Sequence, residues 1–232
     1  MQTKQTVVFI PGLLCDAELW QHQIDGLADI FESYVADISL DDSMTHIAQR
    51  ILNNAPKRFH LVALSMGGYI AFEILRLAPE RVTKLTLMDT SARIDTPKAA
   101  AHRKTIIEFT QVGKFMGVTD KLLPQLIHPS RVHEPIGETI KTMALRVGKA
   151  AFLKQQNAIL NRIDSRPFLA KIQTPTLMVV GEQDGLTPLS HAQEIKDGIA
   201  HARLHVFPTC GHLPPLEYPT ETTQLLRNWL TA

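Results

Sequence analysis

Residues 61–69 read Leu-Val-Ala-Leu-Ser-Met-Gly-Gly-Tyr, an apolar run that meets a serine and two glycines before a helical pattern begins. Such a segment predicts a strand that turns sharply into a helix, with the serine at the corner. The corner strains the serine backbone and crowds the strand against the helix. The flanking residues must therefore be small, and the hydroxyl of Ser65 is held out at the sheet edge, where a base can reach it. Ala63 and Gly67 meet that need. Alanine replaces the more usual glycine at position 63, and it is small enough for the same turn. Five residues alone also fit a joint with an incidental serine, so the rest of the chain must supply Ser65 with partners.

The rest of the chain alternates. Short apolar runs at 7–10, 34–38, 60–64, 82–88, 176–180 and 203–207 predict strands. Helical patterns at 18–30, 43–53, 66–77, 190–199 and 219–230 lie between or after them. This order predicts an α/β fold: a mostly parallel, doubly wound sheet of about six to seven strands, covered on both faces. One segment breaks the rhythm. Residues 93–164 carry helical patterns at 98–115, 120–127, 135–147 and 150–163 and no strand. The expected organisation is thus a core of 1–92 and 165–232 with an all-helical lid insertion at 93–164. Attached at strand C-terminal ends, the insertion should lie over the crevice where such sheets bind ligands. The alternative for any one of its apolar residues is an ordinary core-covering stripe. Candidate substrate-pocket residues are Phe109, Phe115, Met116 and Met143, with Leu14 from the exit of the first strand.

Composition narrows the function classes. A chain of 232 residues with 44% hydrophobic content can bury a full core. Lysine plus arginine number 24 against 23 acidic residues, so no footprint for nucleic acid or an anionic membrane stands out. No apolar run approaches the roughly 20 residues of a membrane helix. Residues 1–6 are polar and lead into a strand without an apolar signal region. Cys15 and Cys210 are too few for a disulfide scaffold and lack metal-ligand companions. The expectation is a soluble cytoplasmic protein that needs no cofactor or metal.

A serine hydroxyl is a poor nucleophile until a base takes its proton, and the base needs a carboxylate to fix its tautomer. With ten histidines, position has to discriminate. His212 lies in Pro-Thr-Cys-Gly-His-Leu-Pro-Pro, a loop after the strand at 203–207 and before the last helix. From there it can lean over the sheet edge toward Ser65. His60 sits on the strand itself and reads as buried or at its far end. For the acid, Asp184 follows the strand at 176–180 within Gly-Glu-Gln-Asp-Gly. An Asp-Gly pair is also what a plain turn uses, but its place one strand before His212 favours the catalytic reading. Asp89, at the end of 82–88, is the rival, and Glu182 the weaker neighbour. The oxyanion of a tetrahedral intermediate needs preorganised N–H donors. Met66 N–H, at a helix N-terminus, is one candidate; the second is Leu13 N–H from the loop Pro11-Gly12-Leu13-Leu14, with Leu14 as the alternative.

The order Ser65, Asp184, His212 is that of α/β-hydrolases. The chain resembles bacterial α/β-hydrolases of the small esterase, enol-lactonase and cofactor-free haloperoxidase type. The resemblance is carried by 8–20, 63–68, Pro79-Glu80-Arg81-Val82, Asp164-Ser165-Arg166-Pro167, 175–184 and 211–219. It implies Ser65 as nucleophile, His212 as base and Asp184 as acid. Two departures stand out: Pro11-Gly12 replaces the usual His-Gly, and 37–43 replaces an Asp-x-Arg-Gly-x-Gly turn.

The leading expectation is a serine hydrolase that cleaves an ester, thioester or lactone of a small to medium, mainly apolar substrate through an acyl-enzyme. Perhydrolase or haloperoxidase chemistry and carbon–carbon bond cleavage on the same triad are alternatives. A ligand receptor on a hydrolase scaffold is the reading from another class, disfavoured because all three triad residues are present.

Overall fold

A computed structural model describes residues 4–232. Six strands form one sheet: β1 (Gln5–Ile10), β2 (Phe31–Val35), β3 (Phe59–Leu64), β4 (Val82–Met88), β5 (Thr176–Gly181) and β6 (Arg203–Phe207). All pairings are parallel, in the order β2-β1-β3-β4-β5-β6. The α/β sheet is therefore the one the alternating pattern predicts.

Why these runs make strands is visible in their burial. Val8, Ile10, Leu61, Ala63, Leu85 and Leu87 face one buried layer, while Val7, Phe9, Val62, Leu64 and Met88 face the other. Both faces are covered, so each central strand reads as an unbroken apolar run. Helices α1 (Gln21–Leu27), α2 (Met44–Asn54) and α3 (Met66–Leu77) connect the first strands. Ile47, Ile51, Ile70 and Ile74 of α2 and α3 fill the first layer. Leu27 of α1 lies in the second.

One strand departs from the sequence reading. Residues 34–38 look like a strand, but β2 ends at Val35 and pairs from Gln5 opposite Phe31. Ala36 and Ile38 are buried nonetheless, because the loop after β2 drops their side chains into the core. Burial extends the strand-like pattern past the last paired residue, although Ala36 N–H still donates to Phe9 O of β1 at 2.9 Å.

Between β4 and β5 lie α4 (Pro97–Val112), the one-turn α5 (Leu123–Leu126) and the long α6 (Ile136–Leu160). Thr96 caps α4 by accepting from Ala99 N at 3.2 Å, with Pro97 at the first helical position. The two predicted helices, at 135–147 and 150–163, are the two halves of α6, which meet at a break in the helical backbone. The kink is Gly148, whose φ of 77° and ψ of 174° suit glycine alone. Helices α7 (Leu189–Gly198), α8 (Pro214–Glu217) and α9 (Pro219–Thr231) complete the chain. Among the described residues, no helix is long and apolar enough to cross a membrane.

His60 lies low on β3, away from the strand ends that carry Ser65. It is 3% exposed, and its ring nitrogens meet Gln5 Oε1 at 2.9 Å and Thr83 Oγ1 at 2.8 Å. Burial, followed by the charge of Lys84, pushes its imidazole down to about 4. In the unfolded chain a histidine titrates near about 6.5. As pH falls between those values, the unfolded chain takes up a proton that the folded one refuses. The stability is thus present above about pH 6.5 and lost on the way to about 4. Thermal melts from pH 4 to 8 should show Tm falling across that window, and His60→Gln should flatten the fall. An unchanged slope in the variant would remove His60 from the account.

Candidate active site

The sheet reverses its winding between β1 and β3, since β2 lies on one side of β1 and all later strands on the other. Loops leaving the C-terminal ends of neighbouring strands diverge at such a point and leave a crevice. Ser65 stands there, between β3 and α3, with φ of 53° and ψ of −114°. A left-handed serine costs on the order of 1–3 kcal/mol. Its surroundings hold it: Ser65 N–H donates to Met88 O at 2.9 Å, and Ser65 O accepts from Gly68 N–H at 2.9 Å and the Thr90 hydroxyl at 2.7 Å. The glycine at 67 is required by space. A Cβ there would stand 2.5 Å from Ile10 O and 2.9 Å from Pro11 O. Ala63, by contrast, is fully buried in the ladder opposite Ile10, where its methyl is accommodated.

Asp184 and His212 come together on the loops after β5 and β6. His212 Nδ1 is 2.7 Å from Asp184 Oδ2, and both residues are 3% exposed. Asp184 also accepts from the Thr187 hydroxyl at 2.6 Å, and from the amides of Leu186 and Thr187 at 2.8 and 3.1 Å. Burial pushes its carboxyl upward, but the charge of His212 and the bonds from His212 and Thr187 outweigh burial. They hold it well below the usual carboxylate range. A charged carboxylate can only accept, so Nδ1 carries the proton and Nε2 is the basic nitrogen of the neutral ring. The turn reading of Asp184 and the histidine-partner reading are both realised, one oxygen each.

Asp89 lies beside this pair, left-handed with φ of 43° and fully buried. Its Oδ1 accepts from Gly181 N–H at 2.8 Å, while Oδ2 has no partner. Burial first, then the charge of Asp184, raises its carboxyl well above the usual range. Asp89, Asp184 and His212 have polar atoms within 4.8 Å of one another, a spacing that could in principle suit a metal. Asp184, however, is already engaged by His212, the Thr187 hydroxyl and two backbone amides, which leaves it little to offer a cation. Glu182 is exposed.

Ser65 and His212 line one cavity of about 490 Å³ with Leu13, Leu14, Phe115 and Met116. No hydrogen bond joins Ser65 to His212 among the described residues; in unliganded sites such bonds are often long and tighten with substrate. Ile106, Leu122, Ile140 and Phe152 of the 93–164 segment add apolar wall, and Lys114 is its single lysine or arginine. Two expected pocket residues fall elsewhere. Phe109 is 72% exposed on the outer face of α4, and Met143 is fully buried in the core beneath the cavity. The apolar periodicity that suggested them does not say which way a helix faces. Arg93 and Arg146, which could otherwise hold an anionic substrate group, are engaged by Glu194 and by Asp16 with Glu18. Cys15 and Cys210 are both buried, and burial pushes the Cys15 thiol up to about 12, which makes it a poor target for alkylation.

The two candidate oxyanion amides differ from Leu14. Met66 N–H is in the first turn of α3, where no intrahelical acceptor exists. Leu13 N–H likewise has no acceptor among the described residues. Leu14 N–H is already committed to Gln155 Oε1 at 3.1 Å. Glu217 is a further residue that sequence reasoning passes over. Buried, it accepts from the amides of Gly211 and Leu213 on either side of His212, and from His128 N–H of the segment between β4 and β5, at 2.9, 3.3 and 2.8 Å. Its one sequence signal is its place five residues after His212 and two before the helix that begins at Pro219.

Comparison with known proteins agrees with this architecture. The Alpha/beta hydrolase family matches residues 7–225. A pimeloyl-[acyl-carrier protein] methyl ester esterase of Nitrosomonas europaea is 24% identical over 93% of this chain and 91% of its own length. A thermophilic esterase from Thermogutta terrifontis superposes with a TM-score of 0.90 at 28% identity, covering 99% of this chain and 90% of the other. The enol-lactonase from Burkholderia xenovorans shares the fold, with a TM-score of 0.89 at 20% identity over 99% of this chain and 92% of the other. The chain belongs to the alpha/beta hydrolase family and is an esterase-like hydrolase.

Proposed function

We propose that the chain hydrolyses an ester of a small to medium, mainly apolar acyl group through an acyl-enzyme on Ser65. The reading is carried by one observation: a buried, charged Asp184 bonded to His212 Nδ1 at 2.7 Å, with His212 and a left-handed Ser65 on the same cavity. In this scheme His212 Nε2 takes the Ser65 proton as Oγ attacks the carbonyl carbon. The amides of Leu13 and Met66 receive the oxyanion. His212 then passes the proton to the leaving alkoxide, and water, activated by the same nitrogen, releases the acid. Asp184 stays ionised throughout, orienting the ring and offsetting the charge of the imidazolium. Segment 93–164 serves as the cap that roofs the acyl pocket and limits water access.

Three considerations support an apolar acyl group. The cavity wall is dominated by leucine, isoleucine, phenylalanine and methionine. No arginine lines it among the described residues, and Arg93 and Arg146 are paired with Glu194 and Asp16. Ester hydrolysis is also the activity named for the Nitrosomonas relative, whose substrate is a carrier-linked methyl ester.

Ser65→Ala and His212→Ala should each lower kcat for p-nitrophenyl butyrate by about 10⁴-fold or more. Ser65→Ala should also lose fluorophosphonate labelling, and labelling that persists would remove Ser65 as nucleophile. The two carboxyls give a sharper contrast. Asp184→Asn should cost about 10⁴-fold, because it removes the charge and favours the wrong tautomer. Asp89→Asn changes a carboxyl that bonds Gly181 N–H rather than His212 and should retain most of the activity; the reverse ranking would transfer the acid role to Asp89. Across a panel of methyl esters, neutral acyl chains should give higher kcat/KM than chains of equal length ending in a carboxylate. A preference for the charged chains would overturn the apolar assignment.

A further inference from the structure

The turn after β1 is braced from the inserted segment. Gly12 O accepts from Cys15 N–H at 3.1 Å, closing a four-residue turn whose third residue, Leu14, has φ of 60°. That position ordinarily takes glycine or asparagine, and a leucine has no means of easing it from its own side chain. The Leu14 amide instead donates to Gln155 Oε1 at 3.1 Å, across 141 residues of chain. Gln155 is fully buried, and its Nε2 donates to Ile38 O at 3.5 Å. Both ends of the side-chain amide are thereby committed, which settles which end meets Leu14. Gln155 itself does not line the cavity, although its neighbour Gln156 does.

We propose that Gln155 is a positioning residue for the oxyanion-binding turn. By accepting from Leu14 it holds the turn in its left-handed form and leaves Leu13 N–H as the amide available to the substrate oxygen. Gln155 stands on the half of α6 beyond the Gly148 kink. Competence of the turn therefore depends on that half-helix being docked. The alternative occupant of the site, Leu14 N–H as the oxyanion donor, is excluded by the same bond. The proposal rests on Ser65 as nucleophile and Leu13 as donor.

The test compares Gln155→Met, which removes the acceptor at similar volume, with Gln155→Asn, which withdraws it, and Gln155→Glu, which keeps an oxygen there. Each is measured for kcat and KM on p-nitrophenyl butyrate and for affinity toward a trifluoromethyl ketone, whose tetrahedral adduct carries an oxyanion. Gln155→Met should lower kcat by about tenfold to a hundredfold, short of the full loss of one oxyanion donor. Its KM should stay within about threefold, since ground-state binding is untouched. Ketone affinity should fall in step with kcat, and Gln155→Glu should recover most of both. A purely structural role would lower Tm and leave kcat and ketone affinity of the folded fraction unchanged, and that result overturns the proposal. If Gln155→Met does not fold, Gln155→Asn decides by the same criteria. Ser65→Ala runs alongside: turnover surviving there removes the nucleophile reading itself. A dead Ser65→Ala beside fully active Gln155 variants removes this proposal alone.

Discussion

The helix that follows β3 begins almost against the chain leaving β1, and the absence of a side chain at residue 67 makes that approach possible. Ile10 and Pro11 present their carbonyls where a Cβ would stand. Because α3 can start that close, Ser65 is driven into its left-handed conformation. Its amide and carbonyl are taken up by Met88 and Thr90 at the end of β4 and by Gly68 of α3. The same proximity sets the Met66 amide near the turn after β1. The nucleophile corner and the proposed oxyanion site are two results of one packing constraint, and a larger residue at 67 would disturb both together.

Around that corner, electrostatics sort two buried carboxyls into different states. Asp184 has four donors, which hold its carboxyl low; Asp89 has one donor and an acidic neighbour, and burial and that neighbour push its carboxyl well up. Two anions so close in a dry interior would repel strongly. Putting the charge on the residue that faces His212 Nδ1 leaves the ring with a fixed tautomer. The arrangement needs no third partner to balance it.

Much of this was legible in the sequence because the informative features are local. Strand β4 and helix α3 run over the residues that their apolar patterns predict. Ser65, Asp184 and His212 each follow a strand within a few residues, so counting strands was enough to bring their loops to one edge. What escaped was long-range or directional. The patterning of 98–115 shows a helix but not that Phe109 faces outward. Gln155 and Leu14, or Glu217 and His128, meet across 141 and 89 residues, and neither pairing leaves a mark in nearby sequence. The strand predicted at 34–38 is β2 displaced toward its C-terminal end, because buried Ala36 and Ile38 carry the apolar pattern past Val35, the last paired residue.

Those distant bonds also bear on how a working enzyme comes into being. The sheet's first four strands and their helices are contiguous in the first 88 residues and can pair early. Gln155 reaches Leu14, and Glu217 reaches His128, only once late-synthesised parts of the chain have docked. Contacts of such sequence separation close slowly, because the intervening loop must first lose its freedom. A chain emerging from the ribosome would thus carry a formed Ser65 corner well before it could hydrolyse anything, and catalytic competence would be among the last properties it acquires.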